Sequence, residues 1–351
     1  MLSYRRSSSG RSIRRSSKNE SRVGGPARFC AQGRIFKVQS TASKDTILPM
    51  SWMKSNSTTR ANALYFKVLP PAPALRDVVR YYWILKDDSQ SPQIDEYLAP
   101  DGFEEIIFSY AEGFRREEIY KNETRQDVLQ GSYLVGSKSC GVTCSRVGRL
   151  AMIGIKLWPQ TLHSLLRTPL HDLSSKPIAL RDVHAPALDE LECRLFDTDS
   201  ESSVKSILDE WMLRSVPRDL NDVLSFSIRE LFASRGTLGI DDLIDRCGVH
   251  YRTLEKAFRE RVGLPPKTLA KVLRFKHAFN SLSAQAEAGR LSALECGYYD
   301  QSHFCKEFKF FTGSTPTRFF RERLSVDVAK FCLSLDVNVL SDSSANAEFV
   351  L

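Results

Sequence analysis

The stretch Cys296–Pro316, CGYYDQSHFCKEFKFFTGSTP, decides the fold of this chain. Phe304, Phe308 and Phe311 recur at the spacing of one helix face, which predicts a helix whose aromatic side is buried. Asp300 stands where an N-terminal cap belongs, and a Gly and a Pro end the pattern. The other face is polar and basic: Gln301, Ser302, Cys305, Lys306 and Lys309. Such a helix is typical of DNA reading, but also of ordinary surface helices.

The same pattern recurs fifty positions upstream. Residues 258–266, FRERVGLPP, align with residues 308–316, FKFFTGSTP, and Lys256 aligns with Lys306. Each copy follows a short helical pattern and a glycine, which is the arrangement of a helix-turn-helix unit. Two tandem copies are much more specific than one.

Residues 266–282 lie between the two copies and carry apolar residues at helical spacing. A helix of about 17 residues is about 25 Å long. With the width of the flanking units added, it could hold two reading helices one DNA turn apart, about 34 Å. The sequence therefore predicts one chain that reads two successive major grooves.

Residues 217–321 resemble the DNA-binding domain of AraC/XylS-type transcriptional regulators. The segments GVHYRTLEKAFRERVGLPPKTL and GYYDQSHFCKEFKFFTGSTP fit the family's two helix-turn-helix units. The resemblance implies an all-α domain in which a long helix joins the two units, in a bacterial and cytoplasmic protein. His250 departs from the pattern, since the family usually has a Ser or Thr cap there, and losing a cap costs about 1 kcal/mol. Ser292–Glu295 is a milder departure, because the family more often has an Ile-Ala-rich helix there.

Residues near the start of each recognition helix read base edges in the major groove. By register, the candidate base-reading residues are Arg252, Glu255, Lys256, Gln301, Ser302 and Lys306. Gln301 suits adenine, Arg252 or Lys256 suits guanine, and Glu255 accepts from cytosine. Phosphate contacts set affinity rather than sequence preference. Their candidates are Lys267, Lys271, Lys309, Arg318 and Arg321.

Residues 61–216 have a different character. Short apolar runs, such as Ile106–Phe108 and Leu150–Leu157, alternate with Gly, Pro and Asp turns, which predicts an antiparallel barrel or sandwich. Residues 75–82 instead have helical spacing. VVRYYWIL, LAPDGFEEIIF, YLVG and IGIKLWPQ loosely resemble the cupin-like N-terminal domain of one subgroup of these regulators, which implies a sensor or oligomerisation role. The candidate effector-pocket residues are Tyr82, Trp83, Phe108 and Trp158.

Neither catalysis nor a metal or cofactor site is expected. Asp101, Glu104 and Glu105 form an acidic cluster, but an acidic turn before a strand is far more common than a catalytic carboxylate pair. The three histidines of residues 163–184 are too widely spaced for a metal-binding cupin. The eight cysteines include no C-x-x-C pair, so neither a zinc site nor a disulfide framework is predicted.

The net charge of +8 is unevenly distributed. Residues 1–60 hold 13 basic and two acidic residues, a net charge of +11, followed by −5 over 61–216, +5 over 217–324 and −3 over 325–351. This asymmetry suits one nucleic-acid module joined to a module without phosphate contacts.

Both ends of the chain read as tails. The Ser- and Arg-rich residues 1–60 are predicted to be disordered. An organelle leader, a basic arm on DNA and a start assigned too far upstream all fit them, and we favour the last. Residues 325–351 are predicted to be a loose tail. No apolar run approaches the roughly 20 residues of a membrane span.

The sequence thus predicts an α+β chain with two domains that acts as a sequence-specific transcriptional regulator, not as an enzyme. Double-stranded DNA is the expected partner, whereas a small-molecule effector, RNA polymerase and a second copy of the chain are candidate partners. The alternative is a ligand- or partner-binding protein whose helical domain no longer reads DNA, given the weak cap at His250.

Overall fold

A β-rich domain and a helical domain follow one another along the chain. The computed structural model describes residues 65–87, 95–110, 114–120, 123–146, 150–171, 176–183, 185–198, 200–216, 220, 222–285, 296–323 and 347–350. The strands are β1 (Tyr65–Leu69), β2 (Val79–Asp87), β3 (Asp95–Leu98), β4 (Glu104–Ser109), β5 (Phe114–Tyr120), β6 (Glu123–Leu129), β7 (Tyr133–Val135), β8 (Val142–Arg146), β9 (Leu150–Leu157), β10 (Ile178–Ala179) and β11 (Ala347–Val350). The helices are α1 (Thr161–Leu166), α2 (Pro186–Phe196), α3 (Glu201–Ser215), α4 (Asp222–Ala233), α5 (Ile240–Cys247), α6 (Tyr251–Arg261), α7 (Pro266–Gln285), α8 (Gln301–Thr312) and α9 (Pro316–Arg323).

The strands form two antiparallel sheets. Sheet A has the order β10-β7-β4-β9-β2-β1-β11, and sheet B has the order β3-β8-β5-β6. One face of sheet A packs against α1, α2 and α3, whereas the other face packs against Leu129 and Cys144 of sheet B. The prediction of an antiparallel β-rich domain with helices is confirmed.

Strand β2 shows why a sheet forms where helical spacing was predicted. Within residues 73–82, only Pro73–Leu75 form a short 3-10 helix, and Tyr82 lies in β2 opposite Ile155 of β9. The prediction of a helix over residues 75–82 is therefore wrong. Val79 and the aromatic residues after it favour a strand, because their side chains pack well on a pleated surface that is buried on both faces.

Helices α2 and α3 cover sheet A. Leu191, Leu195, Leu208 and Met212 are fully buried in the core that these helices share with the sheet. An amphipathic pair of this kind can form a dimer interface or pack on its own domain. Its apolar face packs on the β-rich domain.

The C-terminal segment contributes a strand. β11 pairs antiparallel with β1, with Tyr65 opposite Val350. Strand β1 would otherwise leave an edge of sheet A with unpaired backbone groups, and edge strands are sites where a further strand can add. The sequence predicts a loose tail over 325–351, and the described part of that tail is this strand. The predicted tail over residues 1–60 lies outside the described residues.

The helical domain has two cores that share the long helix α7. Helices α4, α5 and α6 bury apolar residues against Leu269 and Leu273 of α7. Further along the same helix, Phe275 and Phe279 pack with the aromatic residues of α8 and α9. This confirms an all-α domain with a long connecting helix. The helix predicted around residues 291–294 lies outside the described residues.

A buried carboxylate connects sheet A to α1. Glu104 of β4 is completely buried and accepts hydrogen bonds from the backbone N–H groups of Gln160 (2.9 Å) and Leu162 (2.8 Å). Gln160 adopts a φ of 75°, a left-handed conformation that is costly for a side chain other than glycine. The carboxyl group of Glu104 thus holds the start of α1 and a strained residue in place.

Burial raises the pKa of the Glu104 carboxyl from its ordinary value of 4.5 to about 8, although the backbone N–H groups of Leu162, Gln160 and Thr161 act against this rise. The folded state therefore binds a proton more tightly than the unfolded state. We expect the stability that Glu104 contributes to be complete below pH 4.5 and to be lost as the pH rises to 8, by an amount on the order of 5 kcal/mol.

The measurement is the free energy of unfolding of the wild type minus that of Glu104→Gln, from denaturant titrations at several pH values. Because glutamine does not titrate, this difference should fall between pH 5 and pH 8. A difference that stays constant or rises over this range contradicts the prediction.

Candidate DNA-binding surface

The two candidate reading helices, α6 and α8, begin differently. The Asp300 carboxylate accepts a hydrogen bond of 2.7 Å from the backbone N–H of His303, so α8 has the N-terminal cap that its sequence predicts. Residue 250 occupies the same position before α6, and its side chain makes no capping hydrogen bond. The first helix-turn-helix unit therefore starts from a weaker helix end, as the departure at His250 predicts.

The apolar faces of both helices are buried. Leu254 and Phe258 of α6 are at most 1% exposed, and Phe304, Phe308 and Phe311 of α8 are at most 3% exposed. Gly313 ends α8 in the left-handed conformation, with a φ of 76°, as its position in the sequence predicts.

The candidate base-reading residues lie on the opposite faces. Arg252, Lys256, Gln301, Ser302 and Lys306 are exposed. Glu255 is half-buried, and its carboxylate accepts a hydrogen bond of 3.0 Å from Arg259 one turn further along α6. The carboxylate of Glu255 is thus shared with a neighbouring guanidinium.

The candidate phosphate contacts are spread over three helices. Lys267 and Lys271 lie on α7, Lys309 lies on α8, and Arg318 and Arg321 lie on α9. All five residues are exposed. The basic side chains therefore accompany both units along α7 and beyond α8.

A buried ion pair, which the sequence analysis missed, joins α7 to α8. Arg274 donates hydrogen bonds to both carboxylate oxygens of Glu307, at 3.2 and 3.0 Å, and the two side chains are only 16% and 6% exposed. The guanidinium also lies 5.0 Å from the centre of the Tyr298 ring. Glu307 lies three residues after Phe304 and four before Phe311, hence on the buried face of α8. That position was the signal, because a carboxylate there requires a cation.

The four candidate effector residues do not share one pocket. Tyr82 and Phe108 lie in the core between sheet A and its helices, whereas Trp83 lies between the two sheets. Trp158 packs against the core of the first helix-turn-helix unit, 5.1 Å from the ring of Phe232. The prediction of a single pocket lined by all four side chains is wrong, because neighbouring residues of a strand face opposite sides of the sheet.

Two carboxylates of the acidic cluster, Asp101 and Glu105, pair with a lysine. The Lys156 ammonium lies 2.5 Å from the Asp101 carboxylate and 3.1 Å from that of Glu105. Within the part of the chain that the structure describes, no three His, Cys, Asp or Glu side chains are placed to hold a metal ion. Nor is any described helix long and apolar enough to cross a membrane.

Two family models match this chain. Residues 67–179 match a domain of unknown function, DUF6597, and residues 243–322 match the helix-turn-helix domain family. No curated protein matches the chain. The N-terminal domain therefore carries its own family match and is not specifically a cupin.

Several solved structures are similar to this chain. ToxT from Vibrio cholerae matches with 12% identity and a TM-score of 0.37, over 75% of this chain and 100% of that one. ToxT bound to an unsaturated fatty acid matches with 15% identity and a TM-score of 0.35, over 76% and 96%. The AraC-like transcriptional activator CuxR matches with 11% identity and a TM-score of 0.24, over 59% and 77%.

The helix-turn-helix match and the two-unit geometry define the class of protein. Residues 243–322 are a helix-turn-helix domain, which confirms the domain type that the resemblance implied. The match supports a DNA-binding transcriptional regulator.

The unequal helix caps lead to a pair of opposite predictions. Replacing Asp300 with alanine should lower the free energy of unfolding by about 1 kcal/mol, because α8 loses its cap. His250→Asp should raise it by about the same amount, because α6 gains a cap that it lacks. Denaturant titrations of the two variants test this, and a His250→Asp variant no more stable than the wild type contradicts it.

The ion pair between α7 and α8 predicts a specific pattern of stability. Arg274→Met leaves a buried carboxylate without its cation and should cost about 3–5 kcal/mol. The double variant Arg274→Met/Glu307→Met should recover most of that loss, because a well-packed apolar pair replaces a buried charge. Urea denaturation of the single and double variants measures this. Losses that simply add would show that the two residues are not coupled.

Proposed function

We propose that the helical domain reads two successive major grooves of one duplex, with α6 and α8 as the reading helices. The observation that carries this proposal is that both helices have one buried apolar face and one exposed polar face. Each buries its apolar face in its own core and exposes the polar positions that correspond by register, such as Lys256 and Lys306. Helix α7 has 20 residues, which corresponds to about 30 Å and suits a separation close to one DNA turn.

Sequence preference and affinity fall to different side chains in this proposal. The side chains that contact base edges are Arg252, Lys256, Gln301, Ser302 and Lys306. Glu255 is a sixth candidate, and it would act as an acceptor. Lys267, Lys271, Lys309, Arg318 and Arg321 contact phosphates and fix the register on the duplex. Lysine and arginine beside a reading helix contribute affinity that falls with salt, because they release counterions from DNA.

The β-rich domain modulates binding in this proposal, since it contacts the helical domain at several points. Phe103 and Trp158 surround the ring of Phe232 in α4, with ring centres 4.8 and 5.1 Å away. The Gln160 side chain donates a 2.6 Å hydrogen bond to Ser225 of the same helix. We also propose that the protein is cytoplasmic. Its candidate partners besides DNA are a small-molecule effector, RNA polymerase and a second copy of the chain.

A second candidate function is binding of a protein or ligand partner without DNA reading. The missing side-chain cap of α6 favours it, because a frayed reading helix binds its groove less well. Selection of duplexes from a random library by the full-length chain separates the two functions. Recovery of a two-part site supports groove reading, and the absence of any enriched sequence supports the alternative.

Two lysines make a matched pair for testing the mechanism. Lys306→Ala should cost about 1–3 kcal/mol on the selected duplex and relax the preference at one position, because Lys306 reads a base edge. Lys271→Ala should weaken binding to all duplexes alike, because Lys271 contacts a phosphate. It should also reduce the slope of the logarithm of the binding constant against the logarithm of the salt concentration by about one unit.

Binding titrations on the selected duplex and on a random duplex, at several salt concentrations, measure both effects. An equal loss on the two duplexes for Lys306→Ala would mean that Lys306 contacts only phosphate.

A further inference from the structure

One side chain of the β-rich domain forms part of the second helix-turn-helix unit. Tyr97 of β3 is 7% exposed and belongs to the aromatic core of α7, α8 and α9. Its ring centre lies 5.6 Å from that of Phe279 and 4.9 Å from that of Phe319. The aromatic core of this unit is therefore completed from outside the helical domain.

The hydroxyl group of Tyr97 also contacts the end of the reading helix. It donates a hydrogen bond of 3.0 Å to the carbonyl oxygen of Phe311, in the last turn of α8. The last four carbonyl groups of a helix have no partner within it. The neighbouring carbonyl of Lys309 accepts from the backbone N–H of Gly313, so the β-rich domain supplies a donor that α8 itself does not.

A glycine makes room for this tyrosine. A Cβ atom at Gly141 would lie 2.0 Å from the Tyr97 hydroxyl oxygen and within 2.5 Å of its ring. Gly141 directly precedes β8, which pairs with β3. The ring of Tyr97 is thus held between the backbone of its own sheet and the aromatic core of the second unit.

The first helix-turn-helix unit is attached through other residues. The backbone N–H of Leu170 donates a 2.8 Å hydrogen bond to the carbonyl of Glu260, near the end of α6. The contacts of Gln160 and Phe103 also reach α4, on the side of the first unit. A change at Tyr97 should therefore act on α8 and leave the attachment of α6 in place.

We propose that Tyr97 is a positioning residue for the second reading helix. It fixes the end of α8, and thereby the placement of Gln301, Ser302 and Lys306 relative to α6. The inference rests on the proposed reading of two grooves. It assigns to the β-rich domain the control of the second half-site, which is the half of the DNA site that α8 reads. The ring contributes packing, and the hydroxyl fixes the axial position of α8.

The test compares two duplexes bound by the full-length chain. The first is the two-part site selected by the wild type, and the second has one half-site scrambled, namely the half whose preference Lys306→Ala relaxes. The affinity for the selected site divided by the affinity for the scrambled site reports what α8 contributes to binding. We expect Tyr97→Ala to lower this ratio about tenfold, the scale of a lost base contact, without changing the affinity for the scrambled duplex.

Three further variants separate positioning from stability. Gly141→Ala keeps Tyr97 but displaces its ring, so it should lower the ratio as Tyr97→Ala does. Tyr97→Phe keeps the ring without the hydroxyl, so it should lower the ratio, but by less than Tyr97→Ala, because only the hydrogen bond to α8 is lost. Tyr133→Ala truncates another buried tyrosine of the β-rich domain, in the core between the two sheets, and should lower the melting temperature while leaving the ratio unchanged.

The outcomes distinguish the two proposals. A wild type that selects only one half-site overturns two-groove reading, and the role of Tyr97 with it. A wild type that selects two half-sites, with a Tyr97→Ala variant that retains the full ratio, overturns the role of Tyr97 alone. The same holds if Tyr97→Ala loses affinity equally on both duplexes, or if Tyr133→Ala lowers the ratio as much.

Discussion

Helix α7 is the constraint on which the helical domain depends, because the cores of both units are built on it. Leu269 and Leu273 belong to the core of the first unit, and Phe275 and Phe279 belong to the core of the second. A helix is stiff over 20 residues, so the rotation between the two units is set by which of its side chains each core uses. The bidentate contact from Arg274 to Glu307 also fixes the orientation of α8 relative to α7, since a guanidinium and a carboxylate pair in one plane.

Sequence alone could predict the parts of the fold that depend on local repetition. The spacing of Phe304, Phe308 and Phe311, the cap at Asp300 and the helix end at Gly313 follow from the geometry of a single helix, and the structure has all of them. Prediction failed where one residue pattern fits two structures. Residues 75–82 have helical spacing, but β2 is buried on both faces, and a strand buried in this way shows no alternation of apolar and polar residues.

The polar contacts inside the molecule could not be predicted for another reason. Glu104 is one of three nearby carboxylates, and nothing local distinguishes it from Asp101, although it alone caps the start of α1. Tyr97 is separated by 214 positions from Phe311, whose carbonyl accepts its hydrogen bond. Periodicity carries no information about such distant partners. The effector candidates failed similarly, since adjacent Tyr82 and Trp83 point to opposite faces of sheet A.

The two units are held to the β-rich domain by contacts of unequal kind, and this difference has a functional meaning. The first unit is attached through the aromatic cluster around Phe232 and through hydrogen bonds at Ser225 and Glu260. The second unit contacts the same domain through the ring and hydroxyl group of Tyr97, through Ala99 and through β5, which lies against α8. Among the residues that the structure describes, only the second unit has its reading helix contacted at the last turn by a side chain of β3, since the hydroxyl group of Tyr97 donates to the carbonyl of Phe311. In the proposed mechanism, a signal that moves β3 would therefore change the placement of Gln301, Ser302 and Lys306.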